Sequence, residues 1–107
     1  MKKGDIVIIP FPFTDLSGQK NRPALVLIKT DTDITVAFIT TQIKWQDEHD
    51  FRLEPSAENG LKRTSLVRLS KLATIDNELI IGKLGNLIET EIQQLNKNLV
   101  KLFQLDK

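Results

Sequence analysis

The sequence predicts a mainly β domain of the α+β class: a small curved sheet bent into a partly closed barrel, with one α-helix at its C-terminal end. Three observations carry this. Five or six short apolar runs, several rich in β-branched residues, are separated by turn-forming residues between positions 5 and 84. After Gly85 the apolar spacing changes to three and four. The chain has 107 residues, enough for one domain with one core, so the sheet hides its edges by curling and by laying the helix over one opening.

Asp5 to Phe11 (DIVIIPF) is a first strand, and Pro10 and Pro12, which lack backbone donors, put its end at a sheet edge or bulge. Thr14 to Asn21 is a loop in which Gly18 is free to take a positive φ. Pro23 to Lys29 (PALVLIK) is apolar on both faces, which predicts a central strand. TDTD at 30–33 is a turn, and Ile34 to Thr41 (ITVAFITT) is a third strand. Lys44 to Asp50 is a polar loop before a short strand at Phe51 to Glu54. Asn59-Gly60 marks a turn in the loop from Pro55 to Arg63.

Ser65 to Ile75 (SLVRLSKLATI) alternates over part of its length, with Val67, Leu69 and Lys71 on one face and Leu66, Arg68, Ser70 and Leu72 on the other. Asp76-Asn77 turns the chain into a strand at Leu79 to Leu84. Ile88, Ile92, Leu95, Leu99, Leu102 and Phe103 then mark an amphipathic helix, whose start near Thr90 is set by the capping-box pattern Thr90-x-x-Gln93. No repeat or linker divides residues 1–107, which are read as one domain.

Charge is nearly balanced: 15 Lys and Arg against 14 Asp and Glu leave +1. No global field draws the chain to nucleic acid or membrane, so a nucleic-acid function needs a local positive cluster. The chain has no cysteine and one histidine, which excludes disulfides, thiolate metal sites and HExxH. GxxxxGK[ST] and GxGxxG are absent. His49 stands in DEHD, read as a solvated acidic loop because four consecutive residues cannot all face one ion. The lysines of MKKGDIVIIPF superficially suggest a signal peptide, but Asp5, Pro10 and Pro12 break the apolar stretch. No apolar run approaches the roughly 18 residues needed to span a bilayer. A soluble cytoplasmic protein is expected, with no cofactor and no metal.

Three polar groups remain. Arg22 begins the second strand after a loop carrying Lys20 and Asn21; Thr40, Thr41 and Gln42 stand where the third strand loses its apolar residues; Arg68 and Ser70 share one face of an otherwise apolar strand. Each has a plain structural reading. Arg22 can snorkel into water over a buried stem, the threonines suit any strand, and Arg68 can pair with a carboxylate such as Glu54. Together they fit a sharper one. Guanidinium is a planar, permanently charged fork for phosphate oxygens, hydroxyls donate to the same oxygens, and an amide reads base edges. That set suits an anionic backbone better than a neutral metabolite.

In its motifs the chain resembles the PemK/MazF family of toxins from bacterial toxin–antitoxin pairs. GDIV followed by PFPFTDLSG-x-K-x-RP-A-LVL, ITTQ at 39–42, and RTSLVR at 63–68 continued by LATID occur in the family's order, and the terminal helix agrees. The resemblance implies an SH3-like barrel similar to that of the CcdB toxins, a homodimer, a cognate antitoxin with an acidic tail, and sequence-selective, metal-independent cleavage of single-stranded RNA. Carried over by position, the arginine before proline is Arg22 and the strand-end threonine is Thr40, the implied catalytic pair. Lys20, Asn21, Thr41, Gln42, Arg68 and Ser70 are implied RNA contacts, with Phe13 and Trp45 available for base stacking; Phe11 is read as core.

One departure from the family pattern concerns Ser70. Some relatives carry an aspartate there, which can assist proton transfer; serine cannot serve as that base. The loop before Arg22 also lacks the Glu-Gln pair of many relatives. Two alternatives follow: a binding protein on the same fold that acts as CcdB does on gyrase, without nuclease activity, or a catalytically weak RNA-binding member of the family.

Overall fold

The computed structural model describes residues 1–11 and 20–107. The loop expected from Thr14, with Gly18, and the candidate Phe13 lie outside the described residues up to position 19. Among the described residues the elements are β1 (Asp5–Phe11), β2 (Lys20–Lys29), β3 (Asp33–Thr40), β4 (Phe51–Leu53), β5 (Ser65–Asp76), β6 (Gly82–Asn86) and α1 (Glu89–Leu102). The strands make one antiparallel sheet in the order β4-β5-β3-β2-β1-β6.

Bulges curl this sheet. The register shifts between Ile6 and Val7, between Val26 and Ile28, and between Ala37 and Phe38, and each shift bends its strand and adds twist. The β4–β5 connection spans part of the gap between the two edges, because the Asn86 N–H donates to its Glu58 carbonyl at 2.8 Å. Glycine permits that approach: a Cβ on Gly85 would meet the Glu58 oxygen at 2.3 Å. Gly60, at φ +69°, would bring a Cβ within 2.4 Å of the Leu84 carbonyl. The result is a curled half-barrel.

The two faces of the sheet bury separate clusters. Ile6, Leu25, Ala37, Val67 and Leu69 pack with Leu95 of α1, which is fully buried. Val7, Ile9, Ala24, Val26 and Val36 pack on the other face, closed by Leu79 and Ile80. Alternation explains why the middle of β2 is apolar on both faces: Leu25 enters one cluster, Ala24 and Val26 the other.

Several expected boundaries move. Lys20 and Asn21 belong to β2 rather than to a loop, because pairing with Phe11 and Pro10 of β1 extends them despite their polarity. The last strand is Gly82–Asn86, not Leu79 to Leu84; Asn77–Leu79 forms a 3₁₀ turn in which the Asp76 carboxylate accepts from the Glu78 N–H at 2.8 Å. The helix starts one residue before Thr90, and the expected capping box is not the one used. Ile88 is the N-cap, and Glu91 Oε1 accepts from its N–H at 2.9 Å. Ile88 and Phe103 are exposed, so the buried stripe of α1 is narrower than its sequence suggested.

Candidate functional site

Antiparallel pairing brings the C-terminal ends of β1 and β3 and the N-terminal end of β2 to one end of the half-barrel. A groove of about 360 Å³ opens there. Ile9, Phe11, Pro23, Phe38 and Ile39 form its apolar lining, and Arg22, Thr40, Thr41 and Gln42 its polar one. The opening has a backbone cause. The β2–β3 ladder ends at the Ala24–Phe38 pair, and Pro23, next along β2, has no N–H with which to extend it. The same register carried two residues further sets Arg22 across from Thr40.

Arg22 is exposed, and among the described residues its side chain has no ion pair or hydrogen-bond partner, so its guanidinium is available to a ligand. Thr40 Oγ1 accepts from the Gln42 backbone N–H at 3.1 Å, which fixes the oxygen and leaves the hydroxyl proton to donate elsewhere. Phe11, expected in the core, is 39% exposed and packs edge-on against Phe38 with ring centroids 5.2 Å apart. The two rings make an edge-to-face apolar pair beside the polar groups. Lys20 and Asn21 lie just outside this lining, exposed at the start of β2.

Arg68 and Ser70 are engaged elsewhere. Arg68 Nη2 donates to Asp47 Oδ2 at 2.9 Å, and its Nε lies 2.7 Å from Asp50 Oδ2. Glu54, the partner first considered for Arg68, instead accepts from the Thr64 hydroxyl. Asp50 has a fully buried side chain, and the bulge explains it. β5 jumps from Arg68 to Leu72 against neighbouring residues of β3, and the Leu69 N–H so freed donates to Asp50 Oδ1 at 3.0 Å. Asp50 Oδ2 also accepts from the Asp47 N–H.

Ser70 Oγ donates to Asp47 Oδ2 at 3.2 Å. The Asp47 carboxylate is thereby held beside Ser70, delivered by the loop before β4 rather than by β5 itself. Arg68 of this cluster is the sheet neighbour of Phe38, which lines the groove. Trp45, 68% exposed, sits on the 3₁₀ turn Ile43–Trp45 with Lys44 Nζ 5.4 Å from its ring centroid. It does not line the groove. His49 is half-buried, and its carbonyl accepts from Asn98 of α1.

Sequence reasoning missed Phe38, Asp47 and Asp50. Phe38 shares the face of Thr40 by simple alternation, which could have been read; the other two depend on a bulge that leaves no local pattern. Among the described residues no cluster of three or more His, Cys, Asp or Glu side chains converges to hold a metal, and no helix is long and apolar enough to cross a membrane.

A curled half-barrel with a polar groove at the joined ends of β1, β2 and β3 defines a class that comparison with known proteins identifies. Residues 2–103 match the family model described as PemK-like, MazF-like toxin of type II toxin-antitoxin system. The chain belongs to that family. Among solved structures it is similar to the Mycobacterium tuberculosis toxin MazF-mt6, at 25% identity over 94% of this chain and 96% of that one, with a TM-score of 0.76. An Mtb toxin is 26% identical over 75% of this chain and 90% of its own, with a TM-score of 0.66. An endoribonuclease in complex with its cognate antitoxin, from mycobacterial species, shares the fold: the TM-score is 0.77 at 14% identity, over 98% of this chain and 96% of that one. No curated protein matched the sequence.

Proposed function

We propose that this toxin is a sequence-selective, metal-independent endoribonuclease that cuts single-stranded RNA and so arrests growth. The observation that carries the reading is the shared groove of Arg22 and Thr40, in which one offers a charge without a partner among the described residues and the other a free hydroxyl proton. In this reaction the ribose 2′-oxygen forms a bond to the adjacent phosphorus as the bond from phosphorus to the 5′-oxygen breaks. The 2′-proton is lost, a proton is gained by the leaving oxygen, and a cyclic phosphate and a 5′-hydroxyl result.

Negative charge accumulates on the non-bridging oxygens of a five-coordinate phosphorus. Donors fixed before that charge develops stabilise it most. Arg22 supplies the charge and a hydrogen bond to the leaving oxygen, which takes its proton from water; the guanidinium itself stays protonated and is not the base. Thr40 donates to a non-bridging oxygen and positions the phosphate. The 2′-proton goes to the substrate's own phosphate or to the Asp47 carboxylate that Ser70 and Arg68 hold. Gln42 and Thr41 contact the RNA in the groove, Phe11 and Phe38 face its bases, and Lys20, Asn21 and Trp45 meet the flanking strand. Family membership supports a cognate antitoxin, a homodimer and a cytoplasmic site of action; an acidic antitoxin segment would take the place of RNA against Arg22.

Purified protein incubated with an unstructured RNA in EDTA tests this, with the ends of the products mapped. Expected are cuts at one short motif, bearing a 5′-hydroxyl and a cyclic phosphate. No cleavage of diverse RNAs by folded protein would reject it. Retained toxicity of the Arg22→Ala/Thr40→Ala double variant would instead favour action through protein contacts.

A further inference from the structure

A second groove, of about 250 Å³, adjoins the first and shares Pro23 and Thr41 with it. Its far side carries Lys62 and Arg63, both exposed and without an ion pair among the described residues, and Leu84 supplies apolar surface. Resting on the nuclease reading, we infer that this groove is a second RNA subsite, which takes the strand as it leaves the cleaved bond and holds flanking phosphates with Lys62 and Arg63.

Three features favour an RNA strand as the occupant. The surface is continuous with the Arg22 groove through Pro23 and Thr41, so one chain can lie in both. The net charge of +1 gives no general attraction, which makes two adjacent unpaired cations beside that groove a local one. The segment that bears them is also held in place. The Leu61 N–H donates to Oδ1 of the fully buried Asn59 at 2.9 Å, and the Ser65 hydroxyl donates to the Arg63 carbonyl at 2.9 Å. Of the two acids in the same connection, Glu54 accepts from the Thr64 hydroxyl, and neither it nor Glu58 pairs with Lys62 or Arg63 among the described residues. Cations on a pinned turn lose little freedom when a phosphate arrives, while Leu84 and Pro23 offer a base an apolar floor.

The test compares the wild-type chain with Lys62→Ala/Arg63→Ala, and with the charge reversal Lys62→Glu/Arg63→Glu, after circular dichroism shows all three folded. Binding is measured against salt on RNA made uncleavable by 2′-O-methyl groups, in a short form just spanning the cleaved bond and a longer form extended on both sides. Two lost phosphate contacts should reduce the slope of log affinity against log salt by about 1.4 on the longer RNA. The short RNA should bind, and its cleavable counterpart should be cut, as by wild type. The charge reversal should weaken binding of the longer RNA further.

An unchanged slope on the longer RNA, with wild-type binding intact, overturns the subsite and leaves the nuclease reading standing. If the wild type binds neither RNA, both fall. Normal RNA binding by the variants together with lost binding of poly-glutamate overturns the proposal in favour of an acidic peptide.

Discussion

Thr40 shows how a single side chain carries a functional claim. Its oxygen is fixed by the Gln42 N–H, and what remains is one donor directed by geometry rather than by chance. Thr40→Val removes that donor while keeping the shape, and removal of one stabilising donor slows cleavage by about 10²-fold or more. Thr40→Ser restores the hydroxyl and should recover most of the rate. Single-turnover cleavage of an unstructured RNA checks both. Equal rates for Thr40→Val and wild type would mean that the hydroxyl does nothing.

At the level of elements, the join between β5 and the loop before β4 depends on Asp50. Its buried carboxylate meets Arg68 and satisfies a backbone N–H that the bulge leaves open. Asp50→Ala leaves Arg68 without that partner and Leu69 without an acceptor, at a cost of about 3–5 kcal/mol. Urea unfolding measures it. Leu95→Ala, in the only fully buried position of α1, should cost about 2–5 kcal/mol by the same measurement, because it opens a cavity between the helix and the sheet.

These elements also mark how far the sequence could be read. Strand cores were legible because alternation and β-branching record which face is buried, as in β2 and β3. The extension of β2 to Lys20 was not, because pairing with β1 overrides local polarity. Nor was the helix start: Ile88 has no capping side chain, and the Glu91 carboxylate reaches back instead. At the candidate site, Arg22, Thr40, Thr41 and Gln42 are brought together from segments distant in sequence. The engagement of Arg68 and Ser70 with Asp47 came from the bulge and could not be foreseen from spacing.

At the scale of the whole molecule, the electrostatics are local. With a net charge of +1, the attraction to RNA that the proposed function requires would come from cations beside the grooves rather than from the overall field. Three phosphate contacts would give a slope of about −2 for log affinity against log salt. Fluorescence anisotropy on a 2′-O-methyl RNA measures it, and a slope near zero would point to a neutral ligand.

The central claim is that an arginine whose side chain has no partner among the described residues, facing Thr40 across an open ladder end, performs the phosphate chemistry. The most direct measurement is the rate at which Arg22→Ala cuts an unstructured RNA in EDTA, beside wild type, with urea unfolding as a control. Because Arg22 is exposed, stability should stay within about 0.5 kcal/mol while cleavage falls by about 10²–10³-fold or more. Cleavage by a folded Arg22→Ala protein at the wild-type rate would contradict the account.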